Sequence, residues 1–198
     1  VLDSKQPTMT LYSETASVSS GYKSTAKYIK ATATDSGSGV KTIYVKKPDS
    51  SSYTEYTSGT QLTADGAYSF YCIDNAGNTS QTFTISKDCT KPTLTSSVGG
   101  FGKTLKDGFT VTASDNFSGV TLYYKTPNGT SFVASTTSSV VFSKTAVNGT
   151  YGFYAVDGFG NRSDTCYMYM SIDAPEATIV RSDNSHKVCV IWTASNCY

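Results

Sequence analysis

The chain repeats itself, and that repeat limits the fold more than any other feature. Asp3-Ser-Lys-Gln-Pro7 returns as Asp88-Cys-Thr-Lys-Pro92 and, shortened, as Asp173-Ala-Pro175, each 85 residues after the last. Ala33-Thr-Asp35-Ser-Gly-Ser-Gly-Val40 matches Ala113-Ser-Asp115-Asn-Phe-Ser-Gly-Val120 at an offset of 80, and the block from Gly66 to Ser80 matches that from Gly149 to Ser163 at 83. The offset drifts only between blocks, where loops absorb insertions. Self-similarity at this period means tandem units that each bury a core, so the 198 residues divide into 1–87, 88–172 and a truncated third opening, 173–198.

Each matched block reads as a strand closed by turn residues. Ile29, Ala31 and Ala33 alternate with Lys30, Thr32 and Thr34, and Phe109, Val111 and Ala113 fill the same places in the second copy, the period of a half-buried strand. The next strands run over 40–47 and 120–126 and end at hairpin turns, Pro48-Asp49 and Pro127-Asn128-Gly129. Tyr68, Phe70 and Cys72 alternate inward later, matched by Tyr151, Phe153 and Ala155; Asp-x-x-Gly-Asn then turns the chain into a last strand over 79–87 or 163–172. No window sustains a helical period with caps, and the five prolines stand at element edges. The fold class is therefore all-β, with units of a size that fits small Greek-key sandwiches. Gly66-x-Tyr68-x-Phe70 and Gly149-x-Tyr151-x-Phe153 put Tyr68 and Tyr151 in the penultimate strand, where an immunoglobulin sandwich has a tyrosine corner.

Composition excludes several functions. Lys and Arg number 16 against 15 Asp and Glu, so there is no net field to draw nucleic acid or an anionic membrane surface. No apolar run approaches the roughly 20 residues of a membrane helix, and the first residues do not read as a signal peptide, so the sequence reads as a mature or an excised segment. The one histidine, His186, falls in the tail and reads as an exposed strand residue. With five scattered cysteines and no C-x-x-C pair, neither a Ser-His-Asp arrangement nor a zinc site is served, and no enzyme is expected: catalytic residues none, cofactor none.

The Asp-x-x-x-Pro opening, the Asp followed by Ser-Gly-Val, and Gly-x-Tyr-x-Phe-Tyr-x-x-Asp-x-x-Gly-Asn-x-Ser resemble bacterial Ig-like domains. Such repeats stand in tandem in surface adhesins and beside the catalytic domains of large secreted enzymes. The resemblance covers the first two units; in the tail it reaches only the opening, with Cys189-Val-Ile-Trp192 as a second strand. It implies sandwiches set end to end, an extracellular location on the cell surface or in a secreted protein, and a non-catalytic structural or adhesive spacer. The alternative is a carbohydrate-binding or other ligand-binding module, for which Tyr53 and Tyr56, or Tyr123 and Tyr124, would offer a stacking platform; cross-strand tyrosine pairing is the plainer reading. Implied partners are adjacent repeats and a glycan or protein ligand, with no nucleic acid and no membrane insertion.

Two further expectations follow from an immunoglobulin sandwich. Its first and last strands run side by side, which would bring Cys89 and Cys166 together as a disulfide and leave Cys72 a buried thiol. Its pole would gather Asp3, Asp35, Asp74 and Asn78 in the first unit and Asp88, Asp115, Asp157 and Asn161 in the second. Asp35, Asp74, Asn78, Asp115, Asp157 and Asn161 read first as turn locks that accept backbone N–H groups. Calcium held by Asp88, Asp115, Asp157 and Asn161, much as cadherins hold it, is the second reading.

Overall fold

The computed structural model describes residues 3–144, 146–172, 176–181 and 188–193. They form two compact units: the residues up to Pro92 together with Asp115–Gly119 and Asp157–Asn161, and Thr93–Ser114, Val120–Val156 and the residues from Arg162 onward. Two loops of the second sequence repeat thus belong with the first unit.

The first unit contains β1 (Thr8–Ser13), β2 (Ala16–Val18), β3 (Tyr22–Ser24), β4 (Ile29–Thr34), β5 (Val40–Lys46), β6 (Thr54–Tyr56), β7 (Gly66–Asp74) and β8 (Phe83–Lys87). One sheet has the order β2-β1-β4 and the other β3-β8-β7-β5-β6, with β3 parallel to β8. The sheets face each other through Met9, Leu11, Ile29 and Ala31 on one side and Ile43, Val45, Tyr68, Phe70, Cys72 and Ile85 on the other. That interdigitated apolar layer is what drives the two sheets together.

The second unit contains β9 (Thr93–Ser96), β10 (Thr104–Leu105), β11 (Phe109–Ser114), β12 (Val120–Lys125), β13 (Val133–Ala134), β14 (Ser139–Phe142), β15 (Gly149–Asp157) and β16 (Cys166–Met170). Its sheets run β14-β11-β9 and β10-β16-β15-β12-β13, enclosing Phe109, Val111, Leu122, Tyr151, Phe153 and Met168. In the tail, β17 (Glu176–Arg181) pairs antiparallel with β18 (Val188–Thr193), which spans the Cys189–Trp192 segment. His186 and Cys197 lie outside the described residues.

The last strand of each unit starts later than its sequence suggests. Ser80 N–H donates to the Cys72 carbonyl and Ser80 Oγ accepts the Cys72 N–H at 3.0 Å; Ser163 does the same at Ala155, at 2.9 Å. This serine hold uses the backbone groups a ladder would need, so β8 and β16 resume only at Phe83 and Cys166. The glycine that opens Gly-x-Tyr is equally specific. Gly66 and Gly149 have φ of +136° and +129°, and a Cβ would overlap Pro48 in the first case and come within 2.8 Å of Pro127 in the second. The hairpin proline packs where a side chain would be.

Candidate functional site

The acidic turns that end β4 and β7 converge, and so do those that end β11 and β15. Carboxylate oxygens of Asp3, Asp35 and Asp74 lie within 4.8 Å of one another, and so do those of Asp88, Asp115 and Asp157. Each aspartate first locks its own turn. Asp74 Oδ1 accepts Asn78 N–H at 2.7 Å and Oδ2 accepts Asn78 Nδ2 at 2.8 Å; Asp157 Oδ1 accepts Phe159 and Asn161 N–H, both at 2.8 Å, and Oδ2 accepts Asn161 Nδ2 at 2.7 Å. Asp35 Oδ2 takes the N–H groups of Gly37 and Gly39, and Asp115 Oδ2 those of Phe117 and Ser118. The asparagine then reaches the entering strand: Asn78 Nδ2 donates to the Asp3 carbonyl at 3.2 Å and Asn161 Nδ2 to the Asp88 carbonyl at 2.9 Å. The Asp-x-x-Gly-Asn motif is thus a clamp on the segment that opens each repeat.

The two clusters share geometry and differ in electrostatics. The N–H of Lys5, and then Ser38, hold Asp3 below the usual carboxylate range. Burial works against Asp74, yet the Asn78 side chain and backbone still keep it low. In the second cluster Asp88 is fully buried; that burial pushes its carboxyl up against the Ser118 hydrogen bond, and Asp115 and Asp157 push the same way. Asp115 Oδ1 is buried with no hydrogen-bond partner. A divalent cation would need anionic oxygens left over from turn locking, and Asp115 Oδ1 is one such oxygen within the Asp88, Asp115 and Asp157 trio.

A second polar cluster escapes a sequence reading that stops at alternation. Lys87 is fully buried, with Nζ 2.6 Å from Asp65 Oδ1 and 3.1 Å from Cys89 Sγ. Asp65 also accepts the Cys89 N–H at 3.1 Å and the Thr90 hydroxyl. Burial opposes its charge, but Lys87, Thr90 and the Cys89 N–H together hold Asp65 far below the carboxylate range, and Asp65 in turn raises Lys87 against its own burial. The signal was in the repeat: Lys87 faces Gly66 across the ladder, and its counterpart facing Gly149 is the apolar Met170.

The tyrosine hydroxyls make upstream bonds, Tyr68 to the Ala64 carbonyl at 2.8 Å and Tyr151 to the Val147 carbonyl at 2.7 Å. Each unit keeps one sheet of a first strand, its partner and a short return, and another in which the last strand is flanked by the penultimate strand and a short parallel one. Each is an immunoglobulin-like β-sandwich. The fold resembles solved fibronectin(III)-like modules of Clostridium thermocellum CbhA, with 16% identity, TM-score 0.31, and coverage of 82% of this chain and 93% of that one. Chicken CNTN1 FN1-FN3 domains give 17% identity, TM-score 0.33, and 84% and 71% coverage; the D00-D0 domain of Intimin gives 12%, 0.30, and 81% and 99%. No family model and no curated protein matches the chain. Among the described residues no helix is long and apolar enough to cross a membrane.

Two expectations need correction. Cys89 and Cys166 are both free thiols. The strand that runs parallel to β16 is β10, through Thr104 and Leu105, while Cys89 precedes β9 and turns its sulfur to Lys87. The expected edge pairing was right in kind and wrong in segment. Cys72 is buried, which pushes its thiol up. The proposed stacking pairs also divide. Tyr56 is a core residue whose hydroxyl accepts the Ala31 N–H and donates to the Thr60 carbonyl, and Tyr124 packs on Phe142. Only Tyr53 and Tyr123 lie on outer faces, against Tyr71 and Tyr154.

Proposed function

We propose that the chain is a non-catalytic structural and adhesive module, a pair of repeats from an extracellular surface or secreted protein. The observation that carries this is how the repeated polar residues are used. Asp74, Asn78, Asp157, Asn161, Ser80 and Ser163 direct their side-chain atoms to the protein's own backbone. Groups committed in this way hold strands and entry segments in place; they are not poised to meet a substrate. A panel of chromogenic glycosides, esters and peptides tests the reading: no turnover is expected, and turnover lost in Asp88→Asn would overturn it.

A second reading concerns the Asp88, Asp115 and Asp157 cluster, and the orphaned Asp115 Oδ1 favours it. A calcium ion there would satisfy that oxygen and relieve the like-charge crowding at Asp88. Calorimetry with calcium and then with chelator separates the two. Under the calcium reading the melting temperature rises with the ion in the wild type and not in Asp115→Asn. Equal melting with calcium and chelator leaves the turn locks alone.

A further inference from the structure

The outer face of the β12–β15–β16 sheet carries an aromatic strip that the fold does not require. Tyr123 stacks on Tyr154 with ring centroids 4.8 Å apart and planes 7° from parallel, and Phe132 meets Tyr154 edge-on at 4.9 Å. The guanidinium of Arg162 lies over the Tyr154 ring at 3.9 Å. Beyond them Tyr167 and Tyr169 point outward from β16, 44% and 41% exposed. The first unit serves as an internal control. It builds the same sheet with a matching Tyr44–Tyr71 stack and Tyr53 edge, but facing pairs Ser69–Thr84 and Ala67–Ser86 stand where the second unit has Gly152–Tyr167 and Thr150–Tyr169. Thr and Ser suffice for the sandwich, so the added tyrosines serve something other than folding.

Gly152 points the same way. It sits mid-strand, where glycine weakens a sheet, and its φ is not positive, so the backbone does not demand it. A Cβ there would meet Phe132 Cζ at 3.0 Å and Tyr167 Cε1 at 3.3 Å. Its absence leaves room for the Phe132 and Tyr167 rings to close over the strand from either side, so that the β16 tyrosines lie beside the Tyr123–Tyr154 stack. Two cations touch these rings, Arg162 over Tyr154 and Lys125 6.0 Å from the Phe132 ring, and Asp164 lies in the loop between Arg162 and β16. Of the residues in strands β10, β12, β13, β15 and β16, the only carboxylate is Asp157, whose side chain is buried in its turn.

We propose that this face binds an acidic polysaccharide, pyranose rings stacking on the exposed Tyr167 and Tyr169 while Arg162 pairs with a uronate carboxylate. An aromatic floor accepts the C–H face of a sugar, and a guanidinium with N–H donors beyond its Thr165 bond suits a planar carboxylate. A single-stranded nucleic acid would also stack, but two cations do not match a phosphate at every nucleotide. The proposal rests on the adhesive side of the function above and names its ligand.

Affinity electrophoresis of the full chain in gels holding polygalacturonate, its carboxyl-reduced form, xylan or poly(dT) is the test. Retardation is expected in polygalacturonate and should be reduced in the carboxyl-reduced polymer. The double variant Tyr167→Thr/Tyr169→Ser, which installs the first unit's own residues, should weaken it about tenfold. So should Arg162→Gln, while Tyr71→Ala in the first unit leaves it intact. Thermal melts confirm that each variant is folded. No retardation, retardation equal in the reduced polymer, retardation in poly(dT) alone, or a folded double variant that binds as the wild type would each overturn the proposal. New reducing ends appearing with binding would leave this site standing and overturn only the non-catalytic reading.

Discussion

Removing the charge of Asp65 should cost the first unit more than any conservative change in its core, and removing its partner as well should restore most of the loss. Lys87 Nζ has no exposure to solvent and bonds Asp65 Oδ1 at 2.6 Å. Asp65→Asn keeps the acceptor for the Cys89 N–H, just as Asn148 Oδ1 accepts the Ile172 N–H at 2.7 Å in the second unit, but it strands a buried ammonium. Breaking one side of such a pair costs about 3 to 5 kcal/mol, whereas replacing both sides with groups that pack is close to neutral. The double variant Asp65→Asn/Lys87→Met reproduces the residues of the second unit, where Met170 is buried in the core. It should lie within about 1 kcal/mol of the wild type. Urea unfolding followed by hydrogen exchange in β7 and β8 reads the first unit directly. The pH profile supplies an independent check. Because Asp65 titrates far below its unfolded value of 3.8 when folded, the pair's contribution is fully present above that value and is lost as pH falls below it. Lys87 is raised, so its share is present below the ordinary lysine value of 10.5 and fades as pH climbs through its raised one. The double variant should show neither loss. A single Asp65→Asn that costs under about 1 kcal/mol would refute the reasoning, because it would mean that the ammonium reaches water without its partner.

Three other changes follow from the same geometry. Tyr151→Phe deletes the hydroxyl bond to the Val147 carbonyl and should destabilise the second unit by about 1 kcal/mol in urea unfolding, with little change in core packing. Asp157→Ala leaves the Phe159 and Asn161 N–H groups without their carboxylate and should cost about 1 to 3 kcal/mol, measured in chelator so that no metal contributes. Peptide mapping of the native, unreduced chain after alkylation should recover labelled Cys89 and unlabelled Cys72, with Cys72 labelled only once denaturant is added; a Cys89–Cys166 linked peptide would contradict the free thiols.

Most strand positions were legible because the signals are local. Period-two alternation placed Phe109, Val111 and Ala113 inward, and all three are buried. The glycine, tyrosine and aspartate of the repeated block each act within a few residues, in a turn or a corner, so their spacing alone announces their roles. The clustering of the two aspartate trios was also readable, because a sandwich with these turns brings those loops to one pole.

What alternation cannot say is what a face meets once two sheets close. Neighbouring tyrosines such as Tyr123 and Tyr124 carry the same chemistry, and only the packing of β12 sends one to the aromatic strip and the other to Phe142. Lys87 occupies an inward register that composition would give to an apolar residue, and it is stable there because Asp65, 22 residues away in sequence, is folded against it. The edge beside β16 went to β10 and not to the segment holding Cys89, since either could reach it along the chain and only the finished sheet selects one. The sequence alone determined the repeats, the strands and the turns that close them, which depend on neighbours a few residues apart. Only the tertiary structure decided the ion pair, the free cysteines, the aromatic strip and the opposite directions in which the carboxyls of Asp3 and Asp88 are shifted, because burial and distance between remote segments set each of these.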